Sequence, residues 1–165
     1  MFTPDQAEVR RFFCGAWRKR GEGLPVTPLE LLAADWMARH PEYHQVLGDE
    51  AAAVAFQYSP DSGHENPFLH LSLHLSIQEQ VSIDHPRGIR AAWQALLART
   101  GSDHEAAHAL IECLAEAIWR SQRGNLPIDE LAYRRAIAET AGLAPPEADV
   151  SPDPRPDNRP DYRPR

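Results

Sequence analysis

An all-α fold, a bundle of about five or six helices with a disordered C-terminal tail rich in Pro, Arg and Asp, is what this chain of 165 residues predicts. Three observations lead there. Helix-start signals recur along most of the chain. Within the segments they open, apolar residues collect on one face at ~100° per residue. Alternating β-branched runs, the mark of half-buried strands, are missing. The length suits one domain, and 42% hydrophobic with 25% charged residues is a globular composition.

In order, Thr3-Pro4-Asp5-Gln6 sets an N-cap Thr, a Pro at the first helical position and a Gln at the third, which predicts a helix to about Arg20, stopped by Gly21 and Gly23. Thr27-Pro28-Leu29-Glu30 repeats the signal for a second helix, to about Arg39 before Pro41. Ala51–Tyr58 is apolar but too short for periodicity to choose between a strand and a helix end. Asn66-Pro67 caps a third helix through about Val81, and Pro86 to Gly88 open a fourth that stops at Gly101. Ser102-Asp103-His104-Glu105 is a further capping box, starting a fifth helix to about Gln122, and Pro127 starts a sixth through about Thr140. Trp36, Trp93 and Trp119 fall on apolar stripes and are predicted to be core. The helical domain is thus expected over 1–143. The tail, 144–165, carries seven of the 15 prolines in an Asp/Arg/Pro theme, buries nothing, and could serve a protein partner as a docking segment.

Charge and cysteine content narrow the function. A formal net charge of -7 argues against nucleic acid or an anionic membrane as the main partner, since affinity for phosphate needs concentrated positive charge. The basic first helix, with Arg10, Arg11, Arg18, Lys19 and Arg20, reads as a solvated face that complements its C-terminal dipole. Cys14 and Cys113 are too few for a disulfide scaffold or a thiolate zinc ribbon and read as free thiols. Met1-Phe2-Thr3-Pro4-Asp5 has the pattern of neither a signal nor a transit peptide, and no segment offers the ~20 apolar residues that span a bilayer. A soluble protein of the cytoplasm is expected.

The eight histidines carry the chemistry. Six form i, i+4 pairs, His40/His44, His70/His74 and His104/His108, where random placement would give roughly 0.4 such pairs. Pro41 interrupts the first pair, so it is set aside as a same-face pair. On the third helix His70, Leu73, His74, Ile77 and Val81 share a face; on the fifth, His104, His108, Ile111 and Ala115 do, with Glu112 about 80° from His104. Four inward imidazoles need partners, and neutral imidazole is the commonest metal ligand. If the two helices lie side by side, His70, His74, His104 and His108 can hold one transition metal, zinc or iron among the candidates, with Glu112 as a fifth ligand or an acceptor for an imidazole N–H. Cys113, about 180° from His104, is excluded as a co-ligand.

Two other functions compete. His104-Glu105-Ala106-Ala107-His108 matches H-E-x-x-H, in which Glu105 would be the catalytic base of a metal-dependent hydrolase. Such enzymes add a downstream ligand, for which Asp129 or Glu130 stand available, and align substrate on a sheet edge that this chain lacks. A di-iron bundle needs two Glu-x-x-His motifs, and Glu105-Ala106-Ala107-His108 supplies one. A non-enzymatic interaction module, with the histidines as hydrogen-bonded core residues, is the other alternative.

In Asn66-Pro67-Phe68-Leu69-His70-Leu71-Ser72-Leu73-His74 and His104-Glu105-Ala106-Ala107-His108, continued by Cys113-Leu114-Ala115-Glu116 and Trp119, the chain resembles an uncharacterised family of short bacterial proteins, domain of unknown function 1841. The likeness covers about Phe2 to Ile137. It implies a small soluble bacterial protein, brings no established activity, and transfers no catalytic residue.

Overall fold

The computed structural model describes residues 5–59, 63 and 65–147. Among them the regular structure is helical: α1 (Gln6–Gly21), α2 (Pro28–Ala38), a 3-10 turn (Pro41–Tyr43), α3 (His44–Leu47), α4 (Glu50–Ala55), α5 (Pro67–Ile83), α6 (Ile89–Thr100), α7 (Asp103–Gly124) and α8 (Glu130–Ala141). The six long helices are the predicted ones, and the stretch between α2 and α5 adds short turns that periodicity cannot register. Ala51–Tyr58 takes in all of α4 but its first residue, and the chain leaves the helix at Phe56, whose backbone is extended. Most of the predicted tail, 148–165, lies outside the described residues, as does His64. No helix among the described residues is long and apolar enough to cross a membrane.

Local chemistry accounts for the boundaries. Thr27 and Glu30 make the reciprocal capping box at α2, and Ser102 Oγ accepts the Glu105 N–H at α7. At α1 the cap is Asp5, whose carboxylate accepts the Ala7 N–H, so the helix begins at Gln6; Thr3 and Pro4 lie outside the described residues. At α8 the cap is Asp129, accepting from Ala132, and the start falls at Glu130 rather than Pro127. Proline tolerates the first helical position, but a side chain that satisfies an orphan N–H decides where the helix starts.

Two apolar cores meet at α5 and α7. The first gathers Phe13, Trp36, Met37 and Leu47 from the N-terminal helices against Phe68 and Leu71 of α5 and Ala107 of α7. The second gathers Ile89, Leu96, Tyr133 and Ile137 against Ile77 of α5 and Leu110 of α7. Ala106 and Ala107, both fully buried, face opposite cores and let α7 pack closely between them. His74, 0% exposed, stands on α5 between Leu71 and Ile77, where the two cores join.

Two expectations for individual side chains change. Arg10 is buried rather than solvated: its guanidinium donates to the carbonyls of Ala53, Val54 and Phe56 at 2.9, 3.2 and 2.6 Å, so it satisfies the end of α4, where helix carbonyls lack partners. Trp119 is 51% exposed. At 22 residues α7 outruns the 12-residue α6 and α8 beside it, so its last turns have fewer neighbours to cover them.

Candidate metal centre

His70 and His74 come from the first half of α5. Asn66 caps that helix by accepting from the N–H groups of Phe68 and Leu69, and Pro67 occupies the first helical position. His108 comes from the second turn of α7, and His40 from the position after Arg39, the C-cap of α2. His40 sits before Pro41 with φ -122° and ψ 69°, outside the helical region, as a residue preceding proline prefers. An ion pair between Arg39 and Asp103 ties the end of α2 to the start of α7, and Arg39 also lies 5.0 Å over the Trp36 ring.

These four imidazoles converge. Nε2 of His70 lies 3.2 Å from Nε2 of His40, 3.2 Å from that of His108 and 3.1 Å from that of His74. His108 Nε2 is 3.1 Å from His74 Nε2 and 3.4 Å from His40 Nε2. All four ligand atoms fall within 4.8 Å of one another. A metal with nitrogen ligands at about 2.0–2.1 Å in a tetrahedron separates those ligands by about 3.3–3.4 Å, which these five separations of 3.1–3.4 Å approach.

The outward nitrogens set the proton positions. His40 Nδ1 is 2.8 Å from the Trp36 carbonyl oxygen and must carry the hydrogen, leaving Nε2 a bare lone pair in the neutral ring. His70 Nδ1 faces the Glu65 carboxylate at 3.4 Å, which favours the same tautomer. The hydroxyl of Tyr43, whose ring stacks on His40, donates to that carboxylate too, and burial followed by the nearby Glu65 charge holds this phenol well above its usual range. Burial lowers His70 below the ordinary imidazole value against the opposing pull of Glu65. Burial and the neighbouring imidazoles push His74 down to about 2 and His108 down to about 4. At neutral pH these three rings are uncharged, the form that binds a metal.

The remaining candidates from the sequence have other places. His104 stands outside the four, its ring 4.2 Å from that of His108 and 5.0 Å from that of His40, with Nε2 buried and without a hydrogen-bond partner. Glu105 and Glu112 are exposed and belong to no group of converging ligand atoms; the same holds for Asp129 and Glu130 at the start of α8. His44, the partner of His40 in the sequence, turns away, its Nε2 donating to the Met37 carbonyl at 2.8 Å and its ring stacking on Trp17. Cys14 and Cys113 are free and buried, and burial raises both thiols, Cys14 to about 11. His40 is the group member that helix spacing passes over. Its position before a proline that pins the chain end of α2 was the available signal.

The chain belongs to the family described as Domain of unknown function (DUF1841), which matches residues 5–139. No curated protein and no solved structure matches it.

Proposed function

We propose that this member of the DUF1841 family holds one transition-metal ion through Nε2 of His40, His70, His74 and His108. A single observation carries the reading: Nε2 of His40 and of His70 lie 3.2 Å apart while the Nδ1 atoms of both rings point at oxygen acceptors. Two bare lone pairs at that distance repel in a poorly solvated interior, and a cation between them turns repulsion into attraction. The Trp36 carbonyl and the Glu65 carboxylate then act as the outer partners that orient metal-bound imidazoles and raise their basicity.

Four nitrogens without thiolate suit zinc, iron, copper, nickel or cobalt, with zinc and iron the first to test. The ion would join the end of α2 to α5 and α7 at the junction of the two cores, so its loading stabilises the packing of the whole domain. The proposal does not extend to hydrolysis with Glu105 as base, because that side chain is exposed and His104 stands outside the group.

Elemental analysis of protein purified without chelator tests it. About one equivalent of metal is expected in the wild type and a small fraction of that in His40→Ala and His108→Ala. Metal-free protein whose melting temperature stays fixed in excess zinc or ferrous ion would overturn it.

A further inference from the structure

His104 is the histidine that the four-ligand set leaves unexplained. Its ring lies 4.2, 5.0 and 6.1 Å from those of His108, His40 and His74, and the Trp36 indole tilts over it at 6.5 Å. It is therefore walled by three of the rings that define the centre, yet its ligand atoms are not part of the converging group. Nε2 of His104 is buried and has no hydrogen-bond partner. Buried side-chain nitrogens in folded proteins nearly always have one, because an unpaired buried polar atom is costly. The neighbouring ring nitrogens offer little: Nε2 of His40, His74 and His108 turn toward one another, His40 Nδ1 is held by the Trp36 carbonyl, and His74 Nδ1 is itself buried without a partner.

We propose that His104 serves a fifth, exchangeable position on the metal, where its Nε2 hydrogen-bonds a bound water, hydroxide or small anion. The proposal rests on the four-histidine reading and adds a ligand to it. Four imidazoles do not saturate iron, cobalt or nickel, and zinc also expands to five ligands. A small ligand on the His104 side would give the orphaned nitrogen its partner, and the imidazole N–H would in turn stabilise negative charge on that ligand. Burial limits the size of the occupant, since His40 and His74 are 1% and 0% exposed and Trp36 5%. His104 is then a positioning group for the ligand rather than a fifth protein ligand.

Cobalt(II) loading of the full chain reads this out, because the visible bands of cobalt respond to its ligands, and sodium azide is the probe. The wild type is expected to take up about one cobalt and to shift its visible spectrum with azide. His104→Phe, which keeps a flat ring, should keep the cobalt and bind azide about tenfold or more weakly, as loss of a charge-assisted hydrogen bond requires. His104→Gln, which restores an N–H donor, should recover part of that affinity and decides the matter if the Phe variant does not fold. A wild-type spectrum unmoved by azide, or equal azide affinity in His104→Phe and wild type, overturns the proposal. So does loss of cobalt from a folded His104→Phe or His104→Gln protein, which would make His104 a ligand itself. Failure of the wild type to take up cobalt is a separate result, and it strikes the four-histidine reading first.

Discussion

His70 and His74 on α5 and His104 and His108 on α7 have identical spacing, and they end in different situations. On α5 the two Nε2 atoms close to 3.1 Å and both stand in the converging group. On α7 only His108 stands there, and His40 from the end of α2 occupies the remaining place. Periodicity fixes which side chains share a helical face, but successive turns are about 5.4 Å apart along the axis. Two such side chains reach one point only when that point lies opposite the interval between them. On α5 it does, between Leu71 and Ile77 where the two cores join. On α7 His104 is in the first turn, and the chain leaving α2, held by Arg39 and Asp103, brings His40 in from that side.

The largest expected effect breaks or keeps this asymmetry directly. Structural zinc sites bind with about 10–16 kcal/mol, so each of four ligands accounts for about 3 kcal/mol, or a factor of about 100 or more in affinity. Alanine at His70, His74 or His108 should each cost that much in competition with a chromophoric chelator, while His104→Ala should keep the metal. Equal losses at His104 and His108 would make the two helices equivalent and end the distinction.

Thermal stability follows. Metal at about 1,000 times its dissociation constant stabilises a folded protein by about 4 kcal/mol, which for a chain of this size corresponds to a rise of about 10 °C in melting temperature. The wild type and His104→Ala should both show that rise on loading, and His74→Ala should show almost none. A metal-dependent rise that survives in His74→Ala would place the ion elsewhere.

Glu65 probes the α5 side at smaller amplitude. Its carboxylate faces His70 Nδ1 and accepts from the Tyr43 hydroxyl. Outer partners of metal-bound histidines are worth about 10- to 100-fold in affinity. At 66% side-chain exposure Glu65 competes with water for both contacts, so Glu65→Gln is expected near the lower end, about tenfold. An unchanged affinity would leave the tautomer of His70 to its burial alone.

How much of this can be read from the sequence depends on whether a signal is local. The long helices are legible because their caps act over three or four residues: Thr27 with Glu30, Ser102 with Glu105, Asn66 with Phe68 and Leu69. The same logic misplaces the start of α8, where Pro127 and Asp129 compete and the side chain that fills an orphan N–H prevails. His70, His74 and His108 are legible as inward residues from spacing. His40 is not, because Pro41 takes it off any helical face, and a ligand set needs convergence in space rather than periodicity. Arg10 illustrates the same gap: its partners are carbonyls more than 40 residues away, and within its own helix it looks like one more surface cation.

The smallest effect is expected at Glu105, and it bears on the α7 side of the comparison. Glu105 lies in the first turn of α7, exposed, with its backbone N–H given to Ser102 Oγ. A carboxylate there interacts favourably with the helix dipole by about 0.3–1 kcal/mol, so Glu105→Gln should lower the melting temperature by only about 1–3 °C. If the H-E-x-x-H run worked as a unit around a metal, the same substitution would disturb the ion or the water on it. If α7 contributes His108 alone to the ion, the two readouts separate: the dipole effect on stability remains, while chelator competition and the azide response of cobalt protein match the wild type. A tenfold change in either metal readout would put Glu105 beside the ion, and α7 would then present its motif as fully as α5 presents its pair.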